Sequence, residues 1–330
     1  MGVDLFFVLS GFLVGGILID QKKTANYFKV FWLRRALRIV PSYALFLVVY
    51  GVGMAMPATF WKGSEQWLWK DSLPFWSLAT YLQNLVMAWQ GRFGPDFTAI
   101  TWSLAVEEQF YIFFPLMVRW LPSGKILPAA LALFLVAPAF RITAGLWLTP
   151  EVARQAAIVL LPARCDCLAA GILAAALVRN PSLMARINTS PGGLKWATLA
   201  GIGTLAVFPF ANLSQTSTTT LDYGFSWIAL VGACLVLCLY RGCSPWLCGV
   251  FRQPCLRFFG RISYSLYLFH MAFLLIAWAL VFQKPPSLDS WREICFAVLV
   301  LAAAVGFSQL CWVLFEARCI RFGHRFVYQR

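Results

Sequence analysis

Charge is scarce in this chain. Only 12% of its 330 residues are Asp, Glu, Lys or Arg, too few to coat a soluble globule of that length. Acids are scarcer still, 13 against 27 Lys and Arg. The basic excess is clustered between apolar runs, which reads as membrane topology rather than as a nucleic-acid surface. Histidine occurs only at His270 and His324, and the 10 cysteines lack paired zinc-ligand spacing, so no metal site is expected. No P-loop, dinucleotide glycine fingerprint or Gly-x-Ser-x-Gly elbow occurs, which leaves nucleotide hydrolysis and the serine-hydrolase route without support. With no internal repeat and no long hydrophilic segment, residues 1–330 read as a single membrane domain.

What the chain has in excess is apolar sequence. It is 61% hydrophobic with a mean hydropathy of +0.73, against about 45–50% apolar in an ordinary soluble domain. Runs long enough to span a bilayer, about 17–25 residues, are read near 3–19, 39–56, 101–120, 126–147, 157–178, 195–212, 223–240, 262–282 and 294–315. A shorter, more polar run covers 75–89. Basic residues crowd into 20–38, 179–195, 241–261 and the tail from Arg318, so these are expected on the cytoplasmic side, and the Ser/Thr-rich stretch 213–222 outside. Alternation satisfies all of them only if 75–89 does not cross. The expectation is therefore an all-α, polytopic transmembrane helix bundle of about nine spans.

The first of these helices would run from outside to inside, beginning directly after Met1. Asp4, Gly11 and Gly15 fall on a narrow face of it, and the Gly11-x-x-x-Gly15 spacing lets another helix approach closely. Either this face packs against a helix within the chain, or it is built for a preceding helix that the sequence does not contain.

The run TWSLAVEEQFY places Glu107 and Glu108 where a carboxylate is costly, which makes them functional candidates. Tyr111 and Ser103 lie four residues from Glu107, within reach on one helix face. The two acids could orient a histidine, bind a sugar hydroxyl, pair with a buried cation such as Arg141 or Arg164, or act as a fixed polar lock between helices. Arg164 and Asp166, two apart, point to nearly opposite sides and are expected to pair with other segments. Arg35 and Arg38 share a face at the cytoplasmic mouth of the second helix, where guanidinium forks suit phosphates but also serve as a topological anchor. Ser263, Tyr267 and His270 form a polar stripe at spacings of four and three.

Five stretches in order, GVDLFFVLSGFL, FWLRRALRIVPSY, TWSLAVEEQFYIFFPL, RCDCLAAGILAA and FGRISYSLYLFH, resemble the integral-membrane acyltransferase family 3 of the O-antigen acetylase type. The resemblance runs from Val3 to His270. It implies a bundle of about ten helices that moves an acyl group, commonly acetyl from acyl-CoA, to hydroxyls of carbohydrates or glycans. No resident cofactor is implied, since acyl-CoA is a substrate. The resemblance also implies a donor-binding role for Arg35 and Arg38. Glu107, Glu108 and His270 become the candidate catalytic group, and Asp4, Ser10, Trp102, Ser263 and Tyr267 candidates for lining the site.

Members of that family usually begin with one more helix, which carries an Arg and the histidine regarded as central to catalysis. Its absence from this sequence predicts that the chain as given catalyses poorly, and that His270 helps to line the site rather than acting as the primary base. The expected setting is a multi-pass protein of a bacterial inner membrane, with acyl-CoA, a glycan and the bilayer as partners and no nucleic acid. A proton-coupled transporter would explain the intramembrane charges equally well but not the basic patch, and a non-catalytic remnant is the remaining alternative.

Overall fold

A bilayer core offers the backbone no water, so each N–H and C=O must be satisfied within the protein, and an α-helix does this within its own segment. The computed structural model describes residues 2–188, 191–207 and 220–329, and every regular element among them is helical. The principal helices are α1 (Gly2–Gln21), α2 (Tyr27–Ala55), α3 (Trp102–Trp120), α4 (Ile126–Trp147), α5 (Leu161–Val178), α6 (Phe225–Arg241), α7 (Pro254–Val281) and α8 (Trp291–Cys311). Among the described residues seven helical segments are long and apolar enough to cross a membrane. The two remaining expected spans correspond to α3, which carries Glu107, Glu108 and Arg119, and to the helix Pro191–Val207. The expected outer stretch 213–222 lies, through residue 219, outside the described residues.

Several boundaries differ from those read in the sequence, and each difference has a local cause. The basic stretch 20–38 is not a loop throughout, because α2 already begins at Tyr27 and carries Lys29, Arg34, Arg35 and Arg38. Nothing between Tyr27 and Val40 breaks a helix, and Pro41 is accommodated inside it. The run 157–178 is instead two helices, Pro150–Val159 and α5, parted at Leu160, whose ψ of 142° is extended. Pro162 lacks the N–H that would bond back to residue 158, so the helix restarts there. The run 75–89 forms two short helices, Phe75–Ala79 and Gln83–Gln90, each far below spanning length. At the other end, Ser290 and Glu293 make a capping box that starts α8, with Lys284 Nζ 2.5 Å from Glu293.

The helices sort into two units, Met1–Thr24 with Asn84–Arg92 and Ser103–Arg252, and Ala25–Gln83 with Phe93–Trp102 and Gln253–Arg330. In the first unit α1 packs on α5 through glycines. A Cβ on Gly11 would stand 2.1 Å from the Leu168 carbonyl oxygen, and one on Gly171 would stand 2.0 Å from that of Val8. The small-residue face of α1 is thus occupied by a helix of this same chain, and the reading that reserved it for another helix is corrected. The same unit gathers three helix ends. Arg179, just past α5, makes paired hydrogen bonds of 2.7 and 2.6 Å to Asp20 near the end of α1. Lys22, just past α1, donates to the Leu121 carbonyl, just past α3. These helices therefore run parallel. With α1 and α3 parallel and the spanning helix α2 between them in the chain, a further crossing at 75–89 would break the alternation.

The second unit has an aromatic core in which Phe46, Tyr50 and Trp69 surround Phe97 with ring centres 5.4 to 5.6 Å apart. Its chain ends are tied together. Ala25 N donates to Gln329 O at 2.9 Å, Gln329 N to Asn26 Oδ1 at 2.9 Å, and Arg34 Nη2 to Phe326 O at 2.6 Å.

Candidate active site

The candidate residues fall in both units. In the first, Glu107 is buried on α3 and accepts hydrogen bonds from Ser10 Oγ at 2.7 Å and from the Tyr111 hydroxyl one turn along. Ser10 and Tyr111 also lie 2.8 Å apart. Glu108, the next residue, points about 100° round the helix and is half-buried. Asp4 is paired with Arg164, whose guanidinium also lies 3.7 Å from the centre of the Phe225 ring. Asp166 faces the other way, 2.9 Å from Arg141 and accepting from Ser226 Oγ at 2.7 Å. Arg141 completes its fork on Ser226 Oγ and on the carbonyls of Ala163 and Asp222. These charges are desolvated but matched, as buried ions must be. The cations Arg141 and Arg164, considered as partners for the α3 glutamates, are each paired with an aspartate.

In the second unit a cavity of about 620 Å3 is lined by Arg38 of α2, by Arg257, Arg261, Ser263 and Tyr264 of α7, and by Glu316. Arg38, Arg257 and Arg261 are exposed, whereas Glu316 is buried. The cavity thus grades from three guanidinium groups on its open side to one carboxylate at its closed side. Glu316 Oε1 accepts from Ser42 Oγ at 2.6 Å and from Ser265 Oγ. Each serine stands one turn beyond a cavity arginine, Arg38–Ser42 on α2 and Arg261–Ser265 on α7. Tyr264 also ties α7 to α2, its hydroxyl donating to the Ile39 carbonyl at 2.9 Å.

Of the sequence candidates in this unit, Arg38 and Ser263 line the cavity, and Arg35 does not. The Arg35 guanidinium lies 5.8 Å from the Phe31 ring centre. Trp102, at the start of α3, is half-buried. The polar stripe on α7 divides, because Ser263 faces the cavity while Tyr267 donates to the Ile100 carbonyl at 2.7 Å. His270 Nδ1 lies 2.8 Å from the Tyr267 carbonyl and 3.0 Å from that of Leu266. A carbonyl only accepts, so Nδ1 is the donor in both contacts. Ser42, Ser265 and Glu316 were not singled out in the sequence, and Arg257 and Arg261 were read only as topology signals. The repeated Arg-x-x-x-Ser spacing in RIVPS and RISYS was the signal that could have found the first two.

A family model described as an acyltransferase domain matches residues 1–313. The chain belongs to this acyltransferase family. Among its relatives, the peptidoglycan O-acetyltransferase OatA of Listeria monocytogenes is 25% identical over a match covering 96% of this chain and 50% of the relative. A provisionally named O-acetyltransferase of Staphylococcus aureus strain COL is 25% identical, with 82% of this chain and 45% of the relative covered. The O-acetyltransferase OatA of S. aureus strain NCTC 8325 is 30% identical over a shorter match, 37% of this chain and 20% of the relative. The chain thus spans about half the length of the first two of these acyltransferases. No solved structure matches it.

Proposed function

We propose that this chain is a membrane O-acyltransferase module that takes an acyl group, acetyl by analogy with its named relatives, from acyl-CoA and delivers it to a glycan hydroxyl. The single observation that carries the reading is the cavity at Arg38, Arg257 and Arg261. Three guanidinium groups line it, one from within α2 and two from the first turns of α7, and coenzyme A is a phosphate-rich ligand that such forks bind. The Listeria relative, named for peptidoglycan, supports a cell-wall glycan as the acceptor class, and the setting proposed is a bacterial inner membrane. Within the transfer, a base takes the proton from the acceptor hydroxyl as it attacks the thioester carbonyl. The imidazole of His270, in the same unit as the cavity, is the side chain proposed to help arrange that proton path.

The test is equilibrium binding of radiolabelled acetyl-CoA to the purified full chain. Arg38→Ala removes a charge-assisted contact of about 1.5–3 kcal/mol, and so should weaken binding by roughly ten- to a hundredfold. Saturable binding that Arg38→Ala leaves unchanged would sink the assignment of the donor to this cavity. Incubation of labelled protein with cell-wall glycan then asks whether the label moves to the sugar.

A further inference from the structure

The donor reading uses the arginines of the cavity and leaves Glu316 without a task, although a carboxylate beside a phosphate site is counterproductive. It repels the anion that the arginines attract. The local structure nevertheless goes to some length to put it there. Glu316 closes a π-helical segment, Trp312–Glu316, that continues from α8 and precedes the helix Ala317–Gly323. A π turn holds more residues than the 3.6 of an α-helix and so rotates the facing of the residues beyond it, and such segments concentrate at functional sites. Two further helices then fix the carboxylate, with the hydroxyls of Ser42 and Ser265 both donating to Oε1. One oxygen is therefore committed to the protein. Glu316 lines the cavity, and Oε2 is the acceptor it can offer to a ligand there.

We infer that Glu316 is a specificity-determining residue of this cavity: it accepts a hydrogen bond from an N–H or O–H group that the acyl donor carries beyond its phosphates. The inference rests on the donor reading under Proposed function. A cavity with arginines alone would take any polyphosphate or acyl phosphate. With Glu316 at its closed side, a ligand made only of phosphate meets repulsion that no hydrogen bond offsets. Coenzyme A thioesters offer what such ligands lack, since the pantetheine arm has two amide N–H groups and the adenine an exocyclic amine. The cavity thus selects thioesters of coenzyme A over acetyl phosphate and pyrophosphate.

Two probes separate this from a carboxylate that merely offsets the charge of the arginines. Acetyl-CoA and inorganic pyrophosphate are each titrated into the full chain in nanodiscs, wild type and Glu316→Gln. The expected result is opposite in sign for the two ligands: acetyl-CoA binds roughly tenfold more weakly to the variant, and pyrophosphate binds as well as before or better. Charge balance alone predicts that both ligands bind more tightly, and that outcome overturns the inference. An equal loss of both ligands overturns it too. Glu316→Asp keeps the charge but shortens the reach; it should also lose acetyl-CoA selectively, and a wild-type thermal midpoint for either variant shows that the fold is kept. If wild-type protein binds pyrophosphate but no acetyl-CoA, the donor reading itself fails, which is a separate result from either outcome with the variants.

Discussion

At the scale of single residues, this membrane domain is governed by how each buried charge is matched. Asp4 with Arg164, and Asp166 with Arg141, are pairs whose members have no water to fall back on. Arg164→Ala should destabilise the protein by about 3–5 kcal/mol, because Asp4 is left buried without its counter-ion. Replacing both members by apolar residues of similar volume should recover most of that loss. Thermal unfolding of the single and double variants in one detergent checks the pair, and an Arg164→Ala protein as stable as wild type would contradict it. The sequence alone could say that Arg164 and Asp166 point apart, since two residues on a helix are about 200° apart. It could not say which acid met which cation. Partner choice depends on which helices become neighbours, and spacing along one helix is silent on that. Glu107 shows the same division: its Tyr111 partner was legible at four residues, whereas Ser10 comes from a different helix.

At the scale of elements, backbone proximity and helix phase decide the architecture. The α1–α5 contact depends on the absence of side chains at Gly11 and Gly171. Gly11→Ala places a methyl 2.1 Å from a carbonyl oxygen, so the helices must separate, at a cost of about 1–3 kcal/mol. Gly15→Ala should cost less, since its nearest neighbour is the Ile172 side chain at 3.3 Å. Gly145 meets nothing within 4 Å, and Gly145→Ala should be neutral or stabilising, as alanine favours a helix. Unfolding midpoints in that order support the packing described, and equal midpoints for all three would contradict it. The glycine spacing was legible, and what it faced was not. Glu316 was illegible for a different reason: it lies just past the apolar run, and the π segment before it alters the period on which a helical-wheel reading depends. The start of α2 was misplaced because hydropathy marks where a helix enters lipid, whereas backbone hydrogen bonding carries the helix on through its basic turns.

For the whole molecule, the all-helical character was legible because it is set by composition, a property of the linear chain. The parallel ends of α1, α3 and α5 agree with a segment 75–89 that does not cross. The cavity was legible only in part, since Arg38 was singled out as a candidate while Arg257 and Arg261 were read as anchors. A cavity is made by helices distant in sequence, and charge clusters look alike whether they face lipid headgroups or a ligand. In the proposed transfer the acyl donor enters between Arg38, Arg257 and Arg261. Photo-crosslinking of the purified chain with a benzophenone-bearing acyl-CoA, followed by peptide mapping, tests this entry. Label is expected within Arg257–Tyr264 and Trp312–Ile320, removed by excess acetyl-CoA. Competable label confined to α1 or α3 would contradict it.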